Sequence, residues 1–323
     1  MFTVKGRNVQ ENFVSGVKLV RDVGIHSGSR NGGALVAPAP VMTVTERPTE
    51  RVILDATRDA NPFFHLIESL WMVAGRNDAD WLDRFVGNFS SRFAEEEGRM
   101  HGAYGYRWRH HFGRDQLKRA IELLKADPLD RRVVISMWDP VEDDSPEMKD
   151  LPCNTHMYPR MRMEDGRHVL DLTVCCRSND VVWGCYGANA VHFSFVQEFI
   201  AGMLDCDVGV MYQLSNNWHA YDDTLDKVGF PDSPDRYASG EVSCHPIGDE
   251  WNHWMTDLSV FFWKPDAGPE VYMNNWFSTT VCPMYHTHTL WKSGDKELAR
   301  QKAKLIESPD WRMAVVEWME RRS

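Results

Sequence analysis

The sequence predicts an α/β or α+β fold, in which helices alternate with the strands of a sheet. Residues 131–140 are rich in β-branched side chains and end at a proline, and residues 168–178 alternate between apolar and polar side chains. Both patterns are typical of strands. Residues 191–204 are almost wholly apolar and long enough for a buried helix. Segments of both kinds that follow one another indicate a sheet covered by helices.

Two further stretches extend this pattern. Residues 61–86 have the broad apolar face of a helix, a break at 75–78 and then a second helical segment. Residues 207–221 alternate as a strand does and run into a polar end. The predicted order is therefore two helices, two strands, one helix and one strand.

The last third of the chain gives a weaker pattern. From about residue 225 it is rich in proline and tryptophan, and it ends in a charged amphipathic helix around 308–322. Because no repeat or low-complexity linker interrupts the chain, we assign residues 1–323 to a single domain with a divergent C-terminal region from about residue 225.

Composition narrows the class of protein. The formal net charge is −11 and the isoelectric point is near 5.6, which argues against a general nucleic-acid binder. The amino terminus lacks the apolar core of a signal peptide, and no stretch approaches the roughly 20 apolar residues that span a bilayer. The seven cysteines follow no regular spacing, which is typical of reduced thiols. We therefore expect a soluble, cytoplasmic protein with no membrane or nucleic-acid partner.

The strongest local signal for chemistry is Cys153 in the segment LPCNTHMYPRMR. A cysteine that follows a proline in a polar turn and lies near cationic side chains can act as a thiolate nucleophile. A buried structural cysteine is the commoner explanation for any single cysteine. The alternatives are therefore a nucleophile and a packing residue.

Several polar residues are predicted at strand ends. Arginines at 131 and 132 open one strand, and Arg177 with Ser178 closes another, which suits a phosphate dianion. Solvated surface charge is the commoner explanation for any one arginine. Amide, imidazole and phenol groups that can bind a base or a sugar follow nearby, although capping could also explain them: Asn189, Asn216, Asn217, His219 and Tyr221.

A possible metal site is weaker. Cys282, His286 and His288 lie close together in sequence, but no second cysteine pair accompanies them. Ordinary packing is the favoured explanation, and we expect no metal.

The order of these motifs resembles the thymidylate synthase superfamily over about residues 25–225. Six segments carry the resemblance, and they occur in the family's order: FHLIESLWMVAGRND with Glu68 and Trp71, HGAYGYRW with Tyr104 and Gly105, DPLDRRVVISMWDP, LPCN, CRSNDVVWGCYGAN and NNWHAY. The resemblance implies a mixed sheet flanked by helices and a homodimer whose sheets pack face to face.

The resemblance also implies a role for individual residues. Cys153 would be the nucleophile, while Glu68 and Tyr104 would organise proton transfers. Asp180, with Trp71, would contact the folate. Asn189 would read the base. The remaining roles are sugar binding by His219 and Tyr221, and phosphate binding by Arg30, Arg177 and Ser178, together with Arg131 and Arg132 from the partner subunit.

The implied reaction is one-carbon transfer from 5,10-methylenetetrahydrofolate to carbon 5 of a pyrimidine nucleoside monophosphate. Addition of the thiolate at carbon 6 makes carbon 5 nucleophilic, and loss of tetrahydrofolate then leaves an exocyclic methylene on the base. Hydride from the folate would give a methyl group, whereas water would give a hydroxymethyl group.

Departures from the family pattern favour water over hydride as the group that reacts with the exocyclic methylene. Polar residues stand where the family has bulky or apolar ones, namely Ser90 and Ser91 in FSSRFAEEE and Asp150 before the nucleophile. The chain also ends in WMERRS, without the apolar tail that closes over folate in the synthases. The sequence therefore predicts a deoxypyrimidine nucleotide hydroxymethylase, of the kind that serves phages with modified DNA bases.

The resemblance to the family also bears on which base is bound and on which other functions are possible. An amide at Asn189 favours dUMP over dCMP, although the segment GCYGAN is one residue longer between its glycine and asparagine than in the family. A thymidylate synthase that makes dTMP is the alternative within the family. A non-catalytic nucleotide- or RNA-binding homologue is the alternative of another class.

Overall fold

An eight-stranded mixed sheet forms the centre of the protein, as seen in a computed structural model that describes residues 1–29, 32–144, 148–248 and 250–323. The strands are β1 (Phe2–Gly6), β2 (Ile25–Ser29), β3 (Gly32–Val36), β4 (Val41–Thr45), β5 (Ile135–Ser136), β6 (Asn154–Glu164), β7 (Arg167–Asp180) and β8 (Asp207–Tyr221).

The order of the strands explains where polar residues meet. The main path is β1-β4-β8-β7-β6-β5, and β3 pairs with both β2 and β8. β6 and β7 are antiparallel, whereas β7 and β8 are parallel. The beginning of β6 therefore lies beside the ends of β7 and β8.

Helices cover the sheet. They are α1 (Val9–Val23), α2 (Pro62–Val73), α3 (Asp80–Asp83), α4 (Phe89–Phe93), α5 (Tyr104–Tyr106), α6 (Gln116–Ala126), α7 (Asn189–Met203), α8 (Asp222–Val228), α9 (Trp251–Trp263), α10 (Cys282–Ser293), α11 (Lys296–Ala303) and α12 (Pro309–Glu320). Short 3-10 turns span Glu96–Gly98 and Pro269–Val271. Three π-helical segments span Arg107–His111, Val181–Ala188 and Phe277–Val281.

Local sequence accounts for the ends of the helices next to the sheet. Asn61 caps α2, because its side-chain oxygen accepts a hydrogen bond from Phe64 N, and Pro62 occupies the first turn, where no amide hydrogen is needed. α7 is buried along nearly its whole length, as expected for an apolar helix at the centre of a fold.

The C-terminal third packs into the main core. Trp254, Phe277 and Trp318 belong to the same hydrophobic cluster as Phe193 of α7 and Leu172 of β7. A second cluster joins α1 to the other side of the π-helical segment Val181–Ala188. No helix of the described ranges is long and apolar enough to cross a membrane.

The structure corrects the predicted elements in detail. The stretch 131–140 forms a strand only at Ile135–Ser136, and its side chains vary between exposed and buried. The second helical segment of 61–86 is reduced to the four-residue α3 and turns. The other elements match closely: the strand at 207–221 has the predicted bounds, and α7 and α12 lie within two residues of them.

Candidate active site

The register of β6, β7 and β8 brings the predicted nucleophile and phosphate residues to one end of the sheet. Arg177 N donates to the carbonyl oxygen of Cys153 at 2.8 Å, which extends the β6–β7 pairing by one residue. In the next pair of strands, Ser178 lies opposite Asn217, and Asp180 lies opposite His219. These polar residues therefore line adjacent strand ends.

Cys153 is held from two sides. Its amide and that of Asn154 both donate to the Tyr104 hydroxyl, at 3.2 and 3.3 Å. The Arg177 guanidinium donates to the carbonyl oxygens of Pro152 at 2.9 Å and Leu151 at 3.1 Å, and its Nη2 lies 3.9 Å from the Cys153 Sγ. A guanidinium beside a thiol favours the thiolate form, which is the nucleophile.

Tyr104 also faces a cavity of about 220 Å³. Burial raises the pKa of the Tyr104 phenol, so the hydroxyl keeps its proton while it accepts the two amide hydrogens. The cavity has a mostly apolar lining with a few polar side chains, and it is lined by Glu68, Trp71, Met72, Leu82, Phe89, Phe93, Met100, Gly102, Ala103, Tyr104, Asp150, Ala188, Asn189 and His192. An apolar space with few polar groups is typical of a small-molecule site.

Asp150 is one of the two carboxyl groups that line this cavity. Its Oδ2 accepts a hydrogen bond from Gly102 N at 3.0 Å. Burial raises the pKa of Asp150 to about 6, so that the group titrates close to neutral pH. A carboxyl with such a pKa can take or release a proton during turnover.

Ser90 is not among the residues that line the cavity with Asp150. Its hydroxyl and its amide both bind the carboxylate of Asp83, and Phe89 and Phe93 line the cavity on either side of it in sequence. The hydroxyl of Ser90 is therefore already engaged within its own turn.

Glu68 has a neighbour that the sequence did not suggest. Its Oε2 lies 3.1 Å from Nε2 of His192, a buried histidine on α7. The signal was present in the spacing: His192 follows Asn189 by three residues, so both side chains face the same way on a helix. Glu68 and His192 thus form an acid–imidazole pair in the cavity wall.

Asn189 is the first residue of α7, and its side-chain oxygen accepts from Asn154 Nδ2 at 3.0 Å. The segment before it, Val181–Ala188, is π-helical and contains GCYGA of the sequence GCYGAN. Gly187 leaves the helical conformation, and a Cβ there would lie 2.5 Å from Arg58 Nη2.

Asp180 begins this segment. Its Oδ1 accepts from the amides of Val182 and Trp183, whereas its Oδ2 is buried with no hydrogen-bond partner among the described residues. Burial raises the pKa of the Asp180 carboxyl group. Burial also lowers the pKa of the neighbouring Arg58 guanidinium to about 10. A buried carboxylate oxygen without a protein partner points to a ligand donor.

The two residues predicted to bind the sugar, His219 and Tyr221, lie at the end of β8. His219 Nδ1 lies 2.8 Å from Asn217 Oδ1, and the ring of Tyr221 meets that of His219 edge to face. Both lie at the end of β8, next to Asp180 across the strand pair.

Other predicted site residues lie elsewhere or outside the description. Arg131 and Arg132 are exposed near β6, and Arg132 Nη2 lies 2.8 Å from Asp130 Oδ2, so the chain does not bring them to its own Cys153. Arg30 lies outside the described residues. Cys282 Sγ lies 3.7 Å from His286 Nδ1, but the ring of His288 stacks on Phe85 instead of joining them.

Comparison of the sequence with known proteins identifies the family of this chain. The family profile described as thymidylate synthase matches residues 11–231. A deoxyuridylate hydroxymethyltransferase of Pseudomonas phage M6 is 40% identical over 100% of this chain and 95% of the relative. One of Bacillus phage SP01 is 35% identical over 59% of this chain and 50% of the relative. A thymidylate synthase of Saccharomyces cerevisiae is 27% identical over 70% and 84%, respectively. The chain belongs to the thymidylate synthase family.

Proposed function

We propose that the protein converts dUMP to 5-hydroxymethyl-dUMP with 5,10-methylenetetrahydrofolate as the one-carbon donor. The observation that carries the proposal is Asp150, an ionisable carboxyl group in the cavity lined by Tyr104, whose hydroxyl accepts a hydrogen bond from the amide of the candidate nucleophile Cys153. The name and the full-length similarity of the phage M6 relative support the same substrate and product.

The first steps belong to Cys153. Its thiolate adds to carbon 6 of the base, and carbon 5 then becomes able to attack an electrophilic carbon. The folate supplies that carbon as a methylene group. Tyr104 holds the amides of Cys153 and Asn154, which fixes the nucleophile while the bond to carbon 6 forms.

Once carbon 5 has lost its proton and tetrahydrofolate has left, water adds to the exocyclic methylene of the base. Asp150 binds this water and takes its proton, since a carboxylate with a pKa near 6 is an effective base at neutral pH. Glu68 and His192 line the same cavity and are the next groups there that can hold a proton. Elimination of Cys153 then releases the product.

The residues of the site suit a folate. Trp71, Phe89 and Phe93 give the cavity an aromatic wall for a flat ring system. The buried Oδ2 of Asp180 is an acceptor for ring N–H groups, because it has no hydrogen-bond partner among the residues described. Asp180 and Trp71 are therefore the proposed folate contacts.

The nucleotide is bound at the strand ends. Arg177 and Ser178 bind the phosphate, and Asn189 reads the base. His219 and Tyr221 bind the sugar. Arg131 and Arg132 reach the phosphate of the partner subunit, which accounts for their exposure in the single chain.

A substrate panel tests the proposal. The protein is incubated with methylenetetrahydrofolate and with dUMP, dCMP, UMP or CMP in turn, and the products are identified by mass. We expect dUMP to gain CH₂O without formation of dihydrofolate. A gain of CH₂ with stoichiometric dihydrofolate would identify a thymidylate synthase, and binding without turnover of any nucleotide would identify a non-catalytic homologue.

A further inference from the structure

Four side chains form a closed ring of hydrogen bonds behind the base-reading position. Asn154 Nδ2 donates to Asn189 Oδ1 at 3.0 Å, and Asn189 Nδ2 donates to Asn179 Oδ1 at 3.0 Å. Asn179 Nδ2 lies 3.6 Å from Cys176 Sγ, and Cys176 Sγ lies 2.8 Å from Asn154 Oδ1. Each member therefore donates to the next in the same direction.

The contacts of Cys176 set that direction. Burial raises the pKa of the Cys176 thiol well above its ordinary value, so the thiol keeps its proton and has one hydrogen to donate. The shorter contact is to the oxygen of Asn154, and the longer contact is from the nitrogen of Asn179. A protonated thiol can donate to Asn154 Oδ1 and accept from Asn179 Nδ2 at the same time, which matches both contacts.

The ring is buried and closely packed. Asn154, Asn179 and Cys176 are 0%, 2% and 3% exposed, so water does not compete for their hydrogen bonds. Gly184 leaves the space that the ring needs, because a Cβ at this position would lie 2.7 Å from Asn179 Oδ1. If one amide exchanged its oxygen and nitrogen, a donor would face a donor, or an acceptor an acceptor, at each of its two contacts in the ring. The side chains of the ring therefore reverse together or not at all.

Asn189 alone among the four lines the cavity. The ring uses one donor hydrogen and one acceptor site of its amide, which leaves one of each for a ligand. Uracil offers an acceptor at O4 and a donor at N3, whereas cytosine offers a donor at N4 and an acceptor at N3. An amide can pair with either base, but only after it exchanges the positions of its oxygen and nitrogen.

We propose that the direction of the Asn154–Asn189–Asn179–Cys176 ring fixes the amide of Asn189 in the orientation that accepts uracil and rejects cytosine. Asn154, Asn179 and Cys176 are thus positioning residues for base choice. The inference rests on the proposed function only in assuming that a pyrimidine nucleotide binds here.

Two variants that bury the same extra carboxylate separate direction from mere packing. In Asn154→Asp the new carboxylate cannot donate to Asn189 Oδ1, so Asn189 must turn its nitrogen toward position 154. Asn179 can then donate to Asn189, and the Ser215 hydroxyl, which is 3.0 Å from Asn179 Nδ2, can donate in place of accepting. In Asn179→Asp the carboxylate accepts from Asn189 Nδ2 as Asn179 does, and the direction is kept.

The measurement is the ratio of the dissociation constants of dUMP and dCMP, by calorimetry without folate at pH 8.5, where carboxylates are ionised. We expect the preference of Asn154→Asp to shift toward dCMP by at least about fivefold relative to the unchanged protein, because a mismatched bidentate contact to a base costs about that factor or more. Asn179→Asp should keep the preference for dUMP, even if both affinities fall.

Equal shifts in the two variants, or no shift in Asn154→Asp, would overturn the proposal. If Asn154→Asp does not fold, Cys176→Ala and Cys176→Ser replace the pair: the opened ring of the alanine variant should lose selectivity, and the serine variant should retain it. Retention of selectivity by the alanine variant would also overturn the proposal. Since binding is measured without turnover, a different reaction product would contradict the proposed function and leave this result intact.

Discussion

Cys153 owes its position to main-chain contacts more than to its own side chain. Arg177 holds the carbonyl groups of Leu151 and Pro152, and Tyr104 holds the two amides that follow. The sulfur can therefore form and break a bond while the backbone around it stays fixed. This arrangement separates the chemistry of the thiol from the stability of its turn.

Replacing Cys153 by alanine should thus remove turnover and leave nucleotide binding intact. The expected loss in kcat is on the order of 10⁴-fold or more, which is the size associated with removal of a covalent nucleophile. Steady-state assays and calorimetry with dUMP measure the two properties. Cys206→Ala, a thiol substitution at the turn before β8, is the control and should retain turnover. Normal turnover by Cys153→Ala would end the covalent mechanism.

Asp150→Asn tests the proposed base, because it keeps an acceptor for Gly102 N but removes the titrating group. In the unchanged protein, formation of the hydroxymethyl product should rise as the pH increases through about 6, where Asp150 becomes ionised. The variant should lose this rise and form the product at least about 100-fold more slowly, which is the lower end of general-base effects. A pH series of kcat shows both changes; an unaltered profile would exclude Asp150 as the base.

At the scale of elements, the sequence predicts whatever depends on local pattern. Alternation located β8, and continuous apolar character located α7, within two residues. The strand expected at 131–140 is mostly absent because its pairing partner β6 meets it at only two residues, and pairing is a property of the fold. The ring partners of Asn189 were missed for the same reason, since residues 154, 176 and 179 meet residue 189 only across strands and the π-helical segment.

That segment, Val181–Ala188, gives a prediction of its own. Gly187→Ala would place a Cβ 2.5 Å from Arg58 Nη2 and 2.8 Å from the carbonyl oxygen of Val182. We expect the free energy of unfolding to fall by about 1–3 kcal/mol, as for other overpacked sites, together with weaker binding of dUMP. Urea denaturation measures the first effect. Gly87→Ala, where an added Cβ meets nothing within 4 Å, is the control; equal stability of the two variants would contradict the account.

At the scale of the whole molecule, one face of the sheet is partly exposed across β6, β7 and β8 in the part of the chain that the structure describes. Tyr158, Thr173 and Tyr212 form one row across β6, β7 and β8, and all three side chains are partly or largely exposed. The next row, which contains Cys175 and Leu214, is only half-buried. An exposed sheet face with apolar and aromatic side chains favours a partner, which supports the proposed face-to-face homodimer.

Subunit mixing tests whether the sites are shared. If Arg132 serves the partner's phosphate site, a heterodimer of Cys153→Ala and Arg132→Ala chains has one site with both lesions and one with neither. Activity should therefore partly return on mixing. Mixing Cys153→Ala with Arg177→Ala is the matched control, because both residues serve the site of their own chain and no intact site can form. No recovery in the first mixture, despite proven exchange of subunits, would count against sharing.

The central claim is that water, and not hydride, reacts with the methylene group of the base. The most direct measurement is turnover of dUMP with methylenetetrahydrofolate in ¹⁸O-labelled water, followed by the mass of the nucleotide and the absorbance of dihydrofolate. The account predicts a product that has gained CH₂O with the heavy oxygen in its new hydroxyl group, and no dihydrofolate. A product that has gained only CH₂, with dihydrofolate formed in equal amount, would contradict it.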